Sequence, residues 1–363
     1  MKRALVVTVA LAAACSSGKP AAAPSVTPST QPSPTAVVTS APPPSEDAKP
    51  TPTAAPPVGP AGTVVPPGFV PSSATFISAR TGWVLGKSRC PKGSGDCDVI
   101  ARTRDGGRTW RAIPSPRTSP DHLAQIRFAD PTNGFVTGDQ LWATHDGGAT
   151  WTVVPGIGDV QGLAAAAGRV WVTVDQELRS APTGGGSFTV EQGDVVAFAL
   201  HRDLVVATLS HSELKLYALE HGGSSADGID IPCADTEGPT IALGTDSRWF
   251  LVCEGDAGLG HEEKHAFRTA NAGKTWTAAG DPPQLTGTDI YLTTDGDFVI
   301  DHQEVAVLRG TTWKVALASD GGIDEGGFES AVLGYAIGGF AGSSLQTMRI
   351  THDAGRTWSR VAF

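Results

Sequence analysis

The chain is 363 residues long and carries 27 Lys and Arg against 37 Asp and Glu, a formal net charge of −10. That acidic balance argues against a nucleic-acid partner and against docking on anionic lipid. With 40% hydrophobic and 18% charged residues, the composition suits an all-β secreted fold.

Met1-Lys2-Arg3, an apolar run to Ala14 and the small residues before Cys15 form a secretory signal over residues 1–14, too short for a membrane span. Leu11-Ala12-Ala13-Ala14-Cys15 resembles a bacterial lipobox, in which Cys15 becomes the lipidated N-terminus; ordinary cleavage after Ala14 is the alternative. The resemblance implies an extracytoplasmic protein anchored to the bacterial cell membrane through the lipid on Cys15 alone.

Residues 15–68 are dominated by Pro, Ala, Ser, Thr and Val. Such a segment buries too little apolar surface to offset its ordering entropy, so a disordered, partly polyproline-like tether is expected. As a coil it reaches about 40 Å.

The next feature is a phrase that recurs. Thr-x-Asp/Asn-x-Gly-x-Thr-Trp occurs with Asp105, Gly107, Thr109 and Trp110; with Asp146, Gly148, Thr150 and Trp151; with Asn271, Gly273, Thr275 and Trp276; and with Asp353, Gly355, Thr357 and Trp358. The Asp or Asn side chain can accept backbone N–H groups and close a tight turn, and the Gly supplies angles a Cβ resists. Thr-Trp then opens a strand whose aromatic can bury roughly 150–250 Å² against a neighbour. Degenerate copies at Thr183 to Phe188, His221 to Ala226 and Leu308 to Trp313 fill the gaps, giving a mean interval of about 41 residues. Fixed spacing of that size marks a repeat array.

Period-2 apolar runs bounded by turn residues supply four strands per repeat. One repeat reads Ala124 to Phe128, Gly134 to Gly138, Leu141 to Thr144 and Thr150 to Val154. Another reads Val160 to Ala165, Val170 to Val174, Glu177 to Ala181 and Ser187 to Val190, and a third Asp289 to Thr293, Phe298 to Asp301, Glu304 to Leu308 and Thr312 to Ala316.

The phrase resembles the Asp-box, or BNR, repeat of sialidases, sortilin-type receptors, xyloglucan hydrolases and photosystem II assembly factors. The resemblance implies that residues 69–363 form a seven-bladed β-propeller of four-stranded blades with Asp-box hairpins, in which the boxes are structural. Phe76 to Gly86 and Phe128 to Gly138 follow the Phe-x-(Asp)-x-x-x-Gly-aromatic-x-x-Gly pattern of the photosystem II assembly-factor type, whose relatives also occur in bacteria without photosynthesis.

Beyond Cys15 four cysteines remain, and an even count in an exported chain reads as disulfides. Of three connectivities, Cys90–Cys97 closing a hairpin of the first blade and Cys233–Cys253 tying an entry loop to a second strand fit the blades best.

His261-Glu262-Glu263-Lys264-His265 matches the His-Glu-x-x-His zinc phrase, but that chemistry needs a helix. The phrase sits between two strands of the fifth blade and is expected to be a loop entering a strand, with its histidines too far apart to share a zinc. The sialidase Phe/Tyr-Arg-Ile-Pro phrase is missing, and Tyr217, Tyr291 and Tyr335 offer no evident Tyr-Glu nucleophile pair. Acidic loop residues Asp320, Asp324 and Glu325 remain as a candidate binding face, or as the carboxylates of a glycoside hydrolase. Neither metal nor cofactor is expected. The favoured reading is a non-catalytic platform for a protein or glycan of the cell envelope, gathered on the long loops opposite the boxes; a sialidase-like or other glycoside hydrolase is the alternative.

Overall fold

The computed structural model describes residues 59–91, 95–116, 124–201, 204–209, 215–219, 228–233, 238–244, 247–258, 261–283, 289–292, 297–300, 303–328, 330, 332–340 and 346–363. Its first sheet is β1 (Val70–Phe76), β2 (Gly82–Arg89), β3 (Asp96–Thr103) and β4 (Arg111–Ile113). The second is β5 (Ile126–Phe128), β6 (Gly134–Thr137), β7 (Leu141–Thr144) and β8 (Thr152–Val153), and the third β9 (Gly162–Ala166), β10 (Arg169–Val174), β11 (Glu177–Pro182) and β12 (Thr189–Gln192). Then come β13 (Val195–His201), β14 (Leu204–Leu209), β15 (Lys215–Leu219) and β16 (Ile229–Asp230), followed by β17 (Gly238–Leu243), β18 (Trp249–Gly258), β19 (His261–Thr269) and β20 (Thr277–Gly280). The last two are β21 (Asp289–Leu292), β22 (Asp297–Ile300), β23 (Glu304–Arg309) and β24 (Thr312–Ala318), and β25 (Ile323–Phe328), β26 (Gly334–Gly338), β27 (Thr347–Thr351) and β28 (Ser359–Arg360).

These are seven four-stranded sheets, each made of strands consecutive in sequence and paired antiparallel. Their first strands pack in a closed series: β1 on β5, β5 on β9, β9 on β13, β13 on β17, β17 on β21, β21 on β25, and β25 back on β1. The architecture is an all-β propeller of four-stranded blades.

Inner strands are covered on both faces by neighbouring blades, so they read as near-continuous apolar runs: β10 is Arg-Val-Trp-Val-Thr-Val and buried beyond its first residue. Outer strands such as β8 and β28 are short and exposed.

The boxes join third strands to fourth, and only four of them form the full clasp among the described residues. Asp105 accepts the Thr109 N–H at 2.9 Å and its hydroxyl at 2.6 Å, while the Thr103 hydroxyl accepts the Gly107 N–H at 2.8 Å. Asp146 and Asp353 repeat the pattern, and Asn271 bonds the Thr275 N–H and hydroxyl. The degenerate copies make no such clasp among the described residues. The β23–β24 turn has no acid to act as clasp, the 183–188 turn keeps only glycines, and the copy at 221–226 lies outside the described residues.

The Phe…Gly-aromatic pattern has a packing cause that holds in three blades. A Cβ at Gly134 would stand 2.5 Å from the Phe128 ring and one at Gly334 would stand 2.6 Å from Phe328; Gly82 lies as tightly over Phe76. Each ring fills the space a side chain would need. Phe128 in turn stacks on Trp83 of the preceding blade, with centroids 3.7 Å apart, a contact worth about 0.5–1.5 kcal/mol beyond its buried area.

The box tryptophans lie at blade junctions. Trp151 donates to the Pro114 carbonyl at 2.9 Å and Trp276 to that of Asp230 at 3.1 Å, each crossing to the previous blade. Trp110 packs on Phe363, and Trp313 on Phe250.

Residues ahead of β1 also contact the first sheet. Thr63 and Ala112 exchange backbone hydrogen bonds of 2.8 and 2.9 Å along the edge of β4, Arg102 donates to the Pro60 carbonyl, and Val65 is buried in the core. Cys15, the secretory signal and the tether up to residue 58 lie outside the described residues.

Candidate functional site

Ring closure supplies the best-defined polar cluster near the axis. Among the described residues the last sheet is made of consecutive strands, β25–β28, with none from the N-terminus. Side chains bridge the seam instead. Glu325 of β25 accepts the Ala74 N–H and the Ser73 hydroxyl, both at 3.0 Å. Tyr335 of β26 donates to the Ala74 carbonyl or to Glu325, each at 2.9 Å. Arg127 of β5 reaches the Ala74 carbonyl at 3.2 Å and lies 3.5 Å from the Glu325 carboxylate. Their side chains are only 11% (Arg127) and 15% (Glu325) exposed.

This arrangement changes the meaning of the acidic candidates. Asp320 is exposed on the loop before β25. Asp324 is the bulged residue of β25, skipped between the pairs Ile323↔Gly338 and Glu325↔Ile337, and its carboxylate accepts the Gln346 amide. A bulge re-aims side chains. Asp324 therefore turns to the third strand of its own blade while Glu325 is spent on the seam, and the structure does not bring the two carboxylates to one ligand.

The loop face above the seam holds an open groove of about 370 Å³. Its walls are the segment before β1 (Pro66, Pro67, Phe69), Gln346 just ahead of β27 with Met348 inside it, and residues 360–363 (Arg360, Phe363). Phe69 and Phe363 meet edge-on with centroids 4.7 Å apart. Gln346 joins the groove to Asp324, so one sequence candidate lies at its margin. Nothing periodic marks these residues in the sequence; only the fold brings the two ends together. Arg127 has a signal in the sequence, as a charged residue between the apolar Ile126 and Phe128, both buried in β5.

Both disulfides are formed: Cys90–Cys97 spans the β2–β3 hairpin, and Cys233–Cys253 ties the entry loop to β18. The zinc phrase is not a loop entering a strand. Residues 261–265 are all in β19, with His261 opposite Gly258 and His265 opposite Cys253. His265 lies 3.0 Å from Asp281 and 3.4 Å from Glu263. Among the described residues no group of three or more His, Cys, Asp or Glu is gathered to hold a metal.

A further ion-paired group lies on the box face. Asp297 lies between Arg248 and Arg268 of the preceding blade. Burial pushes its carboxyl up and the two arginines pull it down only in part, so the net shift is upward. For Asp105 and Asp353 burial also raises the pKa, but the Thr hydroxyls and backbone N–H groups outweigh it and hold both at about 2.

No protein-family model matches the sequence, and no curated protein matches it. Among solved structures the chain is similar to YCF48 bound to a D1 peptide, with a TM-score of 0.54 at 15% identity over 80% of this chain and 95% of that one. It is equally similar to the β-propeller domain of the Trilobed protease from Pyrococcus furiosus, which has an open velcro topology: TM-score 0.54 at 10% identity, over 81% of this chain and 96% of that one. The GH74 enzyme of Niastella koreensis superimposes more loosely, with a TM-score of 0.41 at 15% identity over 81% of this chain and 54% of that one. At such identities the likeness is one of fold, the β-propeller.

Proposed function

We propose that the chain is a non-catalytic binding propeller, held outside the cytoplasm by a lipid on Cys15, that takes a protein or glycan of the cell envelope on its loop face. The observation that carries the reading is Glu325. As a catalytic acid it would need a ligand within reach; here it is bonded to Ala74, Ser73 and Tyr335. The groove beside it is lined by Phe69, Met348, Phe363 and prolines, with Gln346 and Arg360 as polar groups. Such a lining suits a polypeptide better than a sugar, and a propeller of similar fold has been solved with a peptide bound. A tether would raise the effective concentration of the binding face near the membrane.

Affinity capture from envelope membranes, with the full chain and with Gln346→Ala/Arg360→Glu, tests the proposal. A partner held by the native chain and lost by the double variant supports it. Turnover of fluorogenic sialosides or β-glucosides that Asp324→Asn abolishes would overturn it in favour of a glycoside hydrolase.

A further inference from the structure

The outer strand β24 is seven residues long, whereas the outermost strands of the other six sheets run from two to four. Its inner edge is paired with β23 from Glu304↔Ala318 to Arg309↔Thr312, and no described strand pairs with its outer edge. A free edge of that length presents a row of backbone N–H and C=O groups ready to accept another strand. On the first sheet the corresponding edge is taken by the chain itself, through Thr63 and Ala112. On β24 it is open. Trp313, Ala316 and Leu317 pack against the core, while Val315 at the midpoint stands 54% exposed.

We propose that β24 pairs antiparallel with β24 of a second copy of this chain, about a two-fold axis through Val315. In that register Val315 meets its own copy, Lys314 faces Ala316, Trp313 faces Leu317 and Thr312 faces Ala318. The charge pattern of the strand selects this occupant. Residues 312–318 hold one cation and no acid, so the edge escapes the self-repulsion that a net charge of −10 imposes elsewhere. Lysine is a usual guard of free edges, yet here each Lys314 opposes a methyl group and never the other lysine. The pairing of β24 with β23 shifts between Leu317 and Val315, leaving Ala316 as the extra residue one place from the axis.

A single strand pair is a small interface, and the dimer is correspondingly weak. Sedimentation of the full chain carrying Cys15→Ser, across roughly 1–500 µM, reads it directly. A concentration-dependent dimer is expected, with the amides of Thr312–Ala318 gaining exchange protection as it forms. Val315→Lys and Val315→Asp each place like charges face to face at the axis and weaken association at least about tenfold. Mixing the two variants restores it, because only at a two-fold centre does position 315 meet itself. A native chain that stays monomeric throughout overturns the proposal, as does a Lys/Asp mixture that associates no better than either variant alone. Val315 is exposed, so the melting temperature of each variant checks that the fold is intact.

Discussion

Glu325 accepts the backbone N–H of Ala74 at 3.0 Å, joining two strands that lie 251 residues apart in sequence. Among the described residues no strand is exchanged between the first and last blades, so the carboxylate performs a task that a shared strand could perform. It supplies one acceptor to a backbone donor, a serine hydroxyl and a tyrosine phenol at once. Glu325→Ala leaves these buried donors without it and is expected to cost about 2–3 kcal/mol. Tyr335→Phe, which keeps the ring and removes one donor, should cost about 1 kcal/mol. Chemical denaturation measures both; an unchanged midpoint for Glu325→Ala would show that the seam is held by the apolar contacts alone.

Glycine over phenylalanine is the second device of the inner blades. Gly134→Ala puts a Cβ 2.5 Å from the Phe128 ring, which is itself fixed against Trp83. Overpacking of that kind costs about 1–3 kcal/mol. Gly156, at φ +77 with no atom within 4 Å of an added Cβ, is the control. There Ala meets only the left-handed backbone, at a cost of about 1 kcal/mol. Equal losses at the two sites would refute the ring-contact explanation.

The sequence carries this fold unevenly. The boxes and the alternating runs are local, so strands such as β5 to β8 fall within a few residues of the runs read from Ala124 to Val154. The Phe…Gly pattern is visible too, although its cause is a ring packed above a neighbouring strand. The third instance, Phe328 with Gly334, follows the same pattern in the sequence, with Tyr335 as the aromatic and Gly338 as the second glycine. The seam is not legible at all. Ser73, Arg127, Glu325 and Tyr335 share no spacing, and what unites them is closure of the ring. An acid on a Gly-rich stretch reads as a solvated loop residue, which is why Glu325 reads from sequence as a binding candidate. Likewise residues 59–68 read as tether because their only large apolar side chains are two valines, yet Val65 is buried.

The clasp acids predict a pH response. Asp105 and Asp353 have folded pKa values of about 2, below the ordinary value of 3.8, and Asp146 is lowered in the same sense. A carboxyl with a depressed folded pKa adds stability that is fully present above its unfolded value and lost as pH falls through the folded one. The loss therefore lies between about pH 4 and pH 2. The fifth blade already uses Asn271, which bonds the same Thr275 groups and does not titrate. Replacing all three acids by Asn should flatten the stability profile in that window and cost little at pH 7. A profile unchanged in slope would mean that other carboxylates govern acid unfolding.

Reduction should act unequally on the two disulfides. Cys233–Cys253 closes a separation of 20 residues and Cys90–Cys97 one of 7. On the chain-entropy account the longer loop contributes about 3 kcal/mol and the shorter about 2 kcal/mol. Cys253 is fully buried, so paired alanine replacements are the appropriate variants. The Cys233→Ala/Cys253→Ala chain should melt below the Cys90→Ala/Cys97→Ala chain, and the reverse order would refute the loop argument.

The last expectation concerns the His-Glu-x-x-His phrase, whose chemistry depends on its secondary structure. On a helix, residues four apart share one face at about 5–6 Å between Cβ atoms and can grip one ion. In β19 they are separated by four extended residues, about 13 Å at ~3.3 Å per residue. The strand is fixed by its neighbours, with Val252↔Ala266, Cys253↔His265 and Glu254↔Lys264 paired on one side. Lys264 is fully buried in the middle of the phrase, so winding residues 261–265 into a helix would expose that side chain and break the ladder. Titration calorimetry of the full chain with zinc should therefore find no stoichiometric high-affinity site, and Glu262→Ala should leave peptide hydrolysis at background. One zinc per chain, lost on His261→Ala and again on His265→Ala, would show that the strand rearranges and would restore the metalloprotease reading.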